Sequence, residues 1–214
     1  MKKALSSTEI LAKKFETFDF SPAWKDAFDE PETNGIWLAY GDSGNGKTAF
    51  IMELAKELSR FGGVLINSLE EGLRKTIQDA WIRHRMSEHR KVQLLNKEPM
   101  PILQERLKKQ KSKKFIIIDS IQYTKMTFPQ ILDMKDRFSD RLFVFISQKD
   151  KNKPSGQTAE KVMYDADLKI LIEGFRAISK GRYIGKLGYY TIWEDGAKMY
   201  WEDQTNNEQK TEHE

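Results

Sequence analysis

The chain has 214 residues, 39% hydrophobic and 32% charged, a net charge of +4 and no cysteine. That length and apolar share suit one compact domain, and the absence of thiols excludes disulfides, thiolate metal sites and cysteine nucleophiles. No apolar run reaches the roughly 20 residues of a membrane span, and Met1 to Ser6 lack the apolar stretch of a signal peptide. A cytoplasmic protein with no membrane partner is expected, and the mild basic excess permits a nucleic-acid partner without demanding one.

Residues 5–19 are expected to form a helix capped by Ser7, with Ile10, Leu11 and Phe15 on one apolar face. Phe18, Phe20, Trp24 and Phe28 follow in an Asp-, Pro- and Glu-rich segment and should pack on the core or on a neighbouring subunit. Pro31 to Gly35 is a turn, and Gly35 to Tyr40 is an apolar run fit for a buried strand. After it comes Gly41-Asp42-Ser43-Gly44-Asn45-Gly46-Lys47-Thr48, which matches G-x-x-x-x-G-K-[ST]. The chemistry explains the spacing. Gly41, Gly44 and Gly46 permit backbone angles that a side chain would forbid, so successive N–H groups can curl around phosphate oxygens. Lys47 reaches the β- and γ-phosphates, and the Thr48 hydroxyl ligates Mg²⁺. The helix predicted from Ala49 to Leu58 turns its positive end toward the same anion. Gly41 to Ala49 are therefore the expected nucleotide contacts.

Gly62-Gly63 breaks the chain, and Val64 to Ser68 is a second buried strand. Residues 70–86 should form a basic helix with Leu73, Ile77, Trp81 and Ile82 inside. Its His84 and His89, with the distant His213, make no ligand set and read as surface residues. Val92 to Leu95 is a short strand, and Pro101 to Lys113 a helix ending in the basic run Lys108 to Lys114. That run is either a solvated helix end complementing the dipole or a DNA contact. Phe115 to Asp119 is a third strand, Phe128 to Phe138 a helix and Leu142 to Ile146 a fourth strand. Lys149 to Thr158 is expected as a polar loop. Leu168 to Glu173, Phe175 to Ser179 and Tyr189 to Trp193 look like further strands. Asp195-Gly196 reads as a hairpin turn before a last strand ending near Trp201. The alternation of strands and helices through the first 150 residues implies a mainly parallel sheet wrapped by helices, an α/β fold with antiparallel strands at the C-terminal end. The expected divisions are 1–34 (helix and aromatic linker), 35–201 (core) and 202–214 (disordered polar tail).

Four features accompany the phosphate loop. Asp119 ends an apolar strand expected beside the first strand, the Walker B position for a Mg²⁺-holding carboxylate. Glu70, at the tip of the second strand, suits a base that orients the attacking water, whereas helix-dipole pairing fits Glu71 equally well. Gln148 closes the fourth strand, where a neutral amide can sense the γ-phosphate. Lys180 and Arg182, on one face of a late strand, could act in trans as an arginine finger does, or belong to a basic exposed edge strand.

The set GDSGNGKT, VLINSLEEG, FIIIDSIQ, FVFISQ, DADLKILIEG and KGRYIG, in that order from about Gly35 to Trp201, resembles the RecA superfamily core. It is similar to RadA/Sms and to the ATPase domain of DnaB-type replicative helicases. The resemblance implies a RecA-like three-layer fold and a P-loop ATPase using ATP and Mg²⁺, with sites between subunits of a homo-oligomeric ring or filament. It implies Lys47 and Glu70 as catalytic, Asp119 with Thr48 at the metal, Gln148 as sensor and Lys180 with Arg182 as the trans-acting pair. It also implies single-stranded DNA contacts from Lys149, Lys151 and Lys153, in recombination, replication or helicase action. The chain departs from these relatives in three ways: no zinc finger is evident, Gly181 replaces an asparagine, and the lysine loop lacks an aromatic for base stacking. A second function class therefore stands beside the first: an ATP-dependent regulatory or loader module that binds a protein partner. An AAA+ loader fits less well, because this chain is expected to end in strands.

Overall fold

The computed structural model describes residues 3–109 and 111–211, with the backbone alone for 204–211. Gln110, His213 and the end of the polar tail lie outside the described residues. One mixed sheet organises the chain. Its strands are β1 (Gly35–Gly41), β2 (Val64–Ser68), β3 (Val92–Asn96), β4 (Phe115–Asp119), β5 (Leu142–Asp150), β6 (Lys153–Pro154), β7 (Leu168–Glu173), β8 (Arg176–Gly181) and β9 (Tyr189–Thr191). The spatial order is β3-β2-β4-β5-β1-β7-β8-β9, with β6 paired to β5. Strands β3 through β7 along that path are parallel, while β8 and β9 are antiparallel. The expected adjacency of β4 and β1 does not occur: β5 lies between them, paired to both.

Helices cover both faces because the central strands are apolar on both. Strand residues alternate between two cores. Trp37, Ala39, Val144 and Ile146 face one that includes residues of α2 (Pro22–Phe28), α3 (Lys47–Ser59) and α4 (Lys75–Arg83). Ile36, Leu38, Phe143 and Phe145 face the other, with α5 (Met100–Leu107), α6 (Phe128–Arg137) and α7 (Gln157–Asp165). The aromatic linker belongs to the first core: Phe18 stacks on Phe20 at 4.9 Å and meets Trp37 edge-on at 5.5 Å, and Trp24 stacks on Tyr190 at 4.4 Å. All four linker aromatics are buried, so the segment helps to cover that face of the sheet, each ring contributing about 1.5–3 kcal/mol by burial.

Several elements differ from expectation. The first helix, α1, is only Ser7–Ala12, and its cap is Ser6, in a reciprocal capping box with Glu9. Its expected inner residues Ile10, Leu11 and Phe15 are all more than half exposed. The helix expected over 70–86 is only α4, Lys75–Arg83; in it Ile77 is buried and Trp81 packs against the core, but Ile82 is exposed, as is Leu73 ahead of the helix. The segment after Gln148 is no simple loop: β5 continues to Asp150, turns back through β6, and α7 follows. Asp195-Gly196 forms no hairpin. Both residues lie in the first turn of α8 (Glu194–Thr211), where acidic side chains suit the positive helix end. The last element among the described residues is thus a helix rather than a strand, and it extends to Thr211, within the segment 202–214 expected to be disordered. Among the described residues no helix is long and apolar enough to cross a membrane.

Candidate nucleotide site

The expected residues meet at the C-terminal edge of the parallel strands, where a doubly wound sheet presents its ligand crevice. The loop after β1 curls as the glycines predict at two positions, Gly44 (φ +81°) and Gly46 (φ +97°). Gly41 is glycine for another reason: a Cβ there would lie 2.2 Å from the Ile172 carbonyl of β7. The loop is tied down on the β7 side. Asn45 accepts a 2.8 Å bond from the Gly174 N–H. Lys149 bridges Asp42 at 3.0 Å and Glu173 at 2.8 Å.

Lys47 begins α3 and donates to the Gly41 and Asp42 carbonyls at 2.9 and 2.8 Å. Its ammonium rests on the loop that it would leave to meet a phosphate. Burial lowers its pKa, against the attraction of Asp119, Glu70 and Asp42. The pKa of Asp119 is pushed up to about 7, first by burial and then by the Glu70 charge, with Lys47 opposing. A carboxylate this reluctant to ionise gains from a cation beside it. The fit to Mg²⁺ is good: Asp119 and the exposed Thr48 hydroxyl are hard oxygen donors. Among the described residues no group of three or more His, Cys, Asp or Glu side chains could hold a metal ion by itself.

Glu70 and Asp119 are fixed to each other through the backbone, since the Leu69 and Glu70 N–H groups donate to the Asp119 carbonyl at 2.6 and 3.0 Å. The Glu70 carboxylate accepts a 3.1 Å bond from Gln148 Nε2. Glu71 instead accepts from Thr76 at the start of α4. Asp42, Ser43, Gly44, Gly46, Lys47, Thr48, Ala49, Glu70, Asp119 and Gln148 all line one cleft of about 1020 Å³.

Lys180 and Arg182 are elsewhere. Lys180 pairs across from Lys169 near the start of β7, so it and Arg182 sit at the end of the sheet remote from the phosphate loop. Arg182 is 71% exposed and 3.8 Å from Asp167. Strand β8 is paired to β7 along its whole length but to β9 only over Arg176 to Ile178, so the stretch that carries Lys180 has a strand on one side alone. Lys149 is drawn into its ion pairs, with 12% side-chain exposure, so it does not project from the hairpin; Lys151 and Lys153 do. His84 is no free surface residue, because its Nδ1 is 2.7 Å from Glu53 Oε1.

The cleft has walls that the motifs did not announce: Arg74, Arg83 and His84 from the α4 region, and Phe175, Ile192 and Trp193 beyond β7 and β9. The one available signal was Gly174 between two alternating runs, which marks a two-residue hairpin.

The fold is RecA-like: a mainly parallel, helix-flanked sheet with antiparallel C-terminal strands, carrying a phosphate-loop sequence between β1 and α3. No family model and no curated protein matches the chain. Among solved structures it is similar to the flagellar accessory protein FlaH from Methanocaldococcus jannaschii, with a TM-score of 0.55 and 14% identity over 83% of this chain and 92% of that one.

Proposed function

We propose that the protein binds ATP with Mg²⁺ and hydrolyses it. The observation that carries this is the convergence of Lys47, Thr48, Asp119, Glu70 and Gln148 in one cleft, with Glu70 hydrogen-bonded to Gln148. In this proposal the loop N–H groups and Lys47 grip the β- and γ-phosphates. Thr48 and Asp119 hold Mg²⁺, which supplies charge neutralisation at the phosphate oxygens. Glu70 orients the attacking water and takes its proton. Gln148, bonded to Glu70 and at the root of the β5–β6 hairpin, carries the state of the γ-phosphate to that hairpin. Calorimetric titration of Mg·ATP tests the site: parent protein should bind, and Lys47→Ala, which leaves the folded core untouched, should lose productive binding. Equal affinities would remove Lys47 from the phosphates.

Two extensions belong to the same proposal. The sites are completed between copies in a ring or filament by Lys180 and Arg182 of the neighbouring copy, a reading compatible with their distance from the phosphate loop of their own subunit. The exposed hairpin lysines Lys151 and Lys153 contact single-stranded DNA. The alternative, an ATP-dependent module docking a protein partner, draws support from the exposed Ile10, Leu11 and Phe15.

A further inference from the structure

We infer that Phe175, Ile192 and Trp193 form the platform on which the nucleobase stacks. This rests on the nucleoside-triphosphate proposal above and extends it to the other end of the ligand.

Direction comes from the sheet order. The carboxylates Asp119 and Glu70 follow β4 and β2, on one side of the β1 phosphate loop. The Gly174–Phe175 turn follows β7, and Ile192 and Trp193 follow β9, on the other side. A triphosphate gripped by the loop with its γ-phosphate toward Glu70 must send its nucleoside the opposite way. The same cleft extends there, and its volume of about 1020 Å³ is at the top of the roughly 300–1,000 Å³ usual for small-molecule sites.

The platform is held by its own local geometry. Glu173 pairs with Arg176 across a two-residue turn in which Gly174 (φ +50°) and Phe175 (φ +56°) are both left-handed, the tight hairpin geometry. A bulky aromatic is a rare occupant of that region. The turn brings the Phe175 ring so close to the phosphate loop that a Cβ on Gly46 would lie 3.3 Å from Phe175 Cδ1 and 3.5 Å from Ile192 Cγ2. Trp193 meets Phe175 edge-on, with centroids 4.9 Å apart at 82°. Its indole is seated over Gly196, where any Cβ would come within 2.2 Å. Trp193 nevertheless remains 52% exposed, leaving indole surface for a ligand. Rings held this firmly offer stacking area at little entropic cost.

The experiment separates base from phosphate. Mg·ATP and Mg·tripolyphosphate are titrated into parent, Trp193→Ala and Trp193→Phe, by calorimetry and by tryptophan fluorescence. Tripolyphosphate should bind all three alike and leave fluorescence unchanged. ATP should bind parent and Trp193→Phe comparably, and Trp193→Ala roughly 5- to 150-fold more weakly, the range that a stacked base supplies. ATP should quench the parent emission and not that of Trp193→Phe. Equal ATP affinity in parent and Trp193→Ala overturns the platform while leaving the phosphate site standing. Failure of tripolyphosphate to bind the parent instead indicts the phosphate site. Should Trp193→Ala lose both ligands by misfolding, the fluorescence decides, and ATP quenching that persists in Trp193→Phe overturns the proposal.

Discussion

Replacing Glu70 with Gln isolates the chemical step from binding and folding. The substitution keeps the size of the side chain and removes one negative charge. Folding should be indifferent. The bonds that fix this strand tip run through backbone, from the Leu69 and Glu70 N–H groups to Asp119 and from Lys97 Nζ to the Glu70 carbonyl. Among the described residues the Gln148 hydrogen bond alone uses the carboxylate, and an amide oxygen can accept it, so stability should move by no more than about 0.5 kcal/mol. Binding should hold or improve, because the Glu70 charge is one cause of the raised Asp119 pKa; without it Asp119 ionises more readily beside a cation. The rate should collapse. A general base contributes about 10²–10⁴-fold, or about 2.7–5.4 kcal/mol of barrier. Single-turnover hydrolysis with saturating Mg·ATP, alongside calorimetry, reads both quantities. A Glu70→Gln rate within about threefold of parent, with Glu71→Gln collapsing instead, would refute the assignment of the base. Glu71→Gln should change little, because that carboxylate is engaged with Thr76.

The remaining expectations concern partners. Lys151→Ala with Lys153→Ala should weaken single-stranded DNA binding and reduce the log–log salt slope by about 0.7 for each phosphate no longer neutralised, while basal hydrolysis survives; unchanged filter-binding curves at several salt concentrations would take DNA off this hairpin. The double variant Lys180→Ala/Arg182→Ala should bind ATP normally and its rate should fall on the order of 10³-fold, as removal of an arginine finger does. Mixing it with Glu70→Gln should recover part of the activity, increasingly at higher protein concentration, and full activity of a dilute double variant would deny the pair a role in trans.

What the chain discloses before folding divides along physical lines. Buried parallel strands announce themselves as apolar runs, because both faces are covered; β1, β2, β4 and β5 are legible for that reason, and with them the residues that follow or end their apolar stretches: Gly41, Glu70, Asp119 and Gln148. Which strands become neighbours is settled by packing across the whole sheet, so no local pattern told that β5 separates β4 from β1. Helix α7 was missed because its buried residues Ala159 and Val162 are small and sparse among polar ones. Asp195-Gly196 misled for a related reason. A hairpin dipeptide is a local preference, and here tertiary packing overrides it: Gly196 is required by the indole of Trp193 lying against it, not by a turn. Lys149 shows the same logic in charge. In sequence it is one of three spaced lysines, but its partners Asp42 and Glu173 stand at the ends of β1 and β7, far from it along the chain and brought beside it only by the order β5-β1-β7. The proposed phosphate end of the site is thus written in a contiguous motif, because one loop would do the gripping. The proposed base platform is assembled from two turns and a helix start, which come together only once β7, β8 and β9 lie side by side.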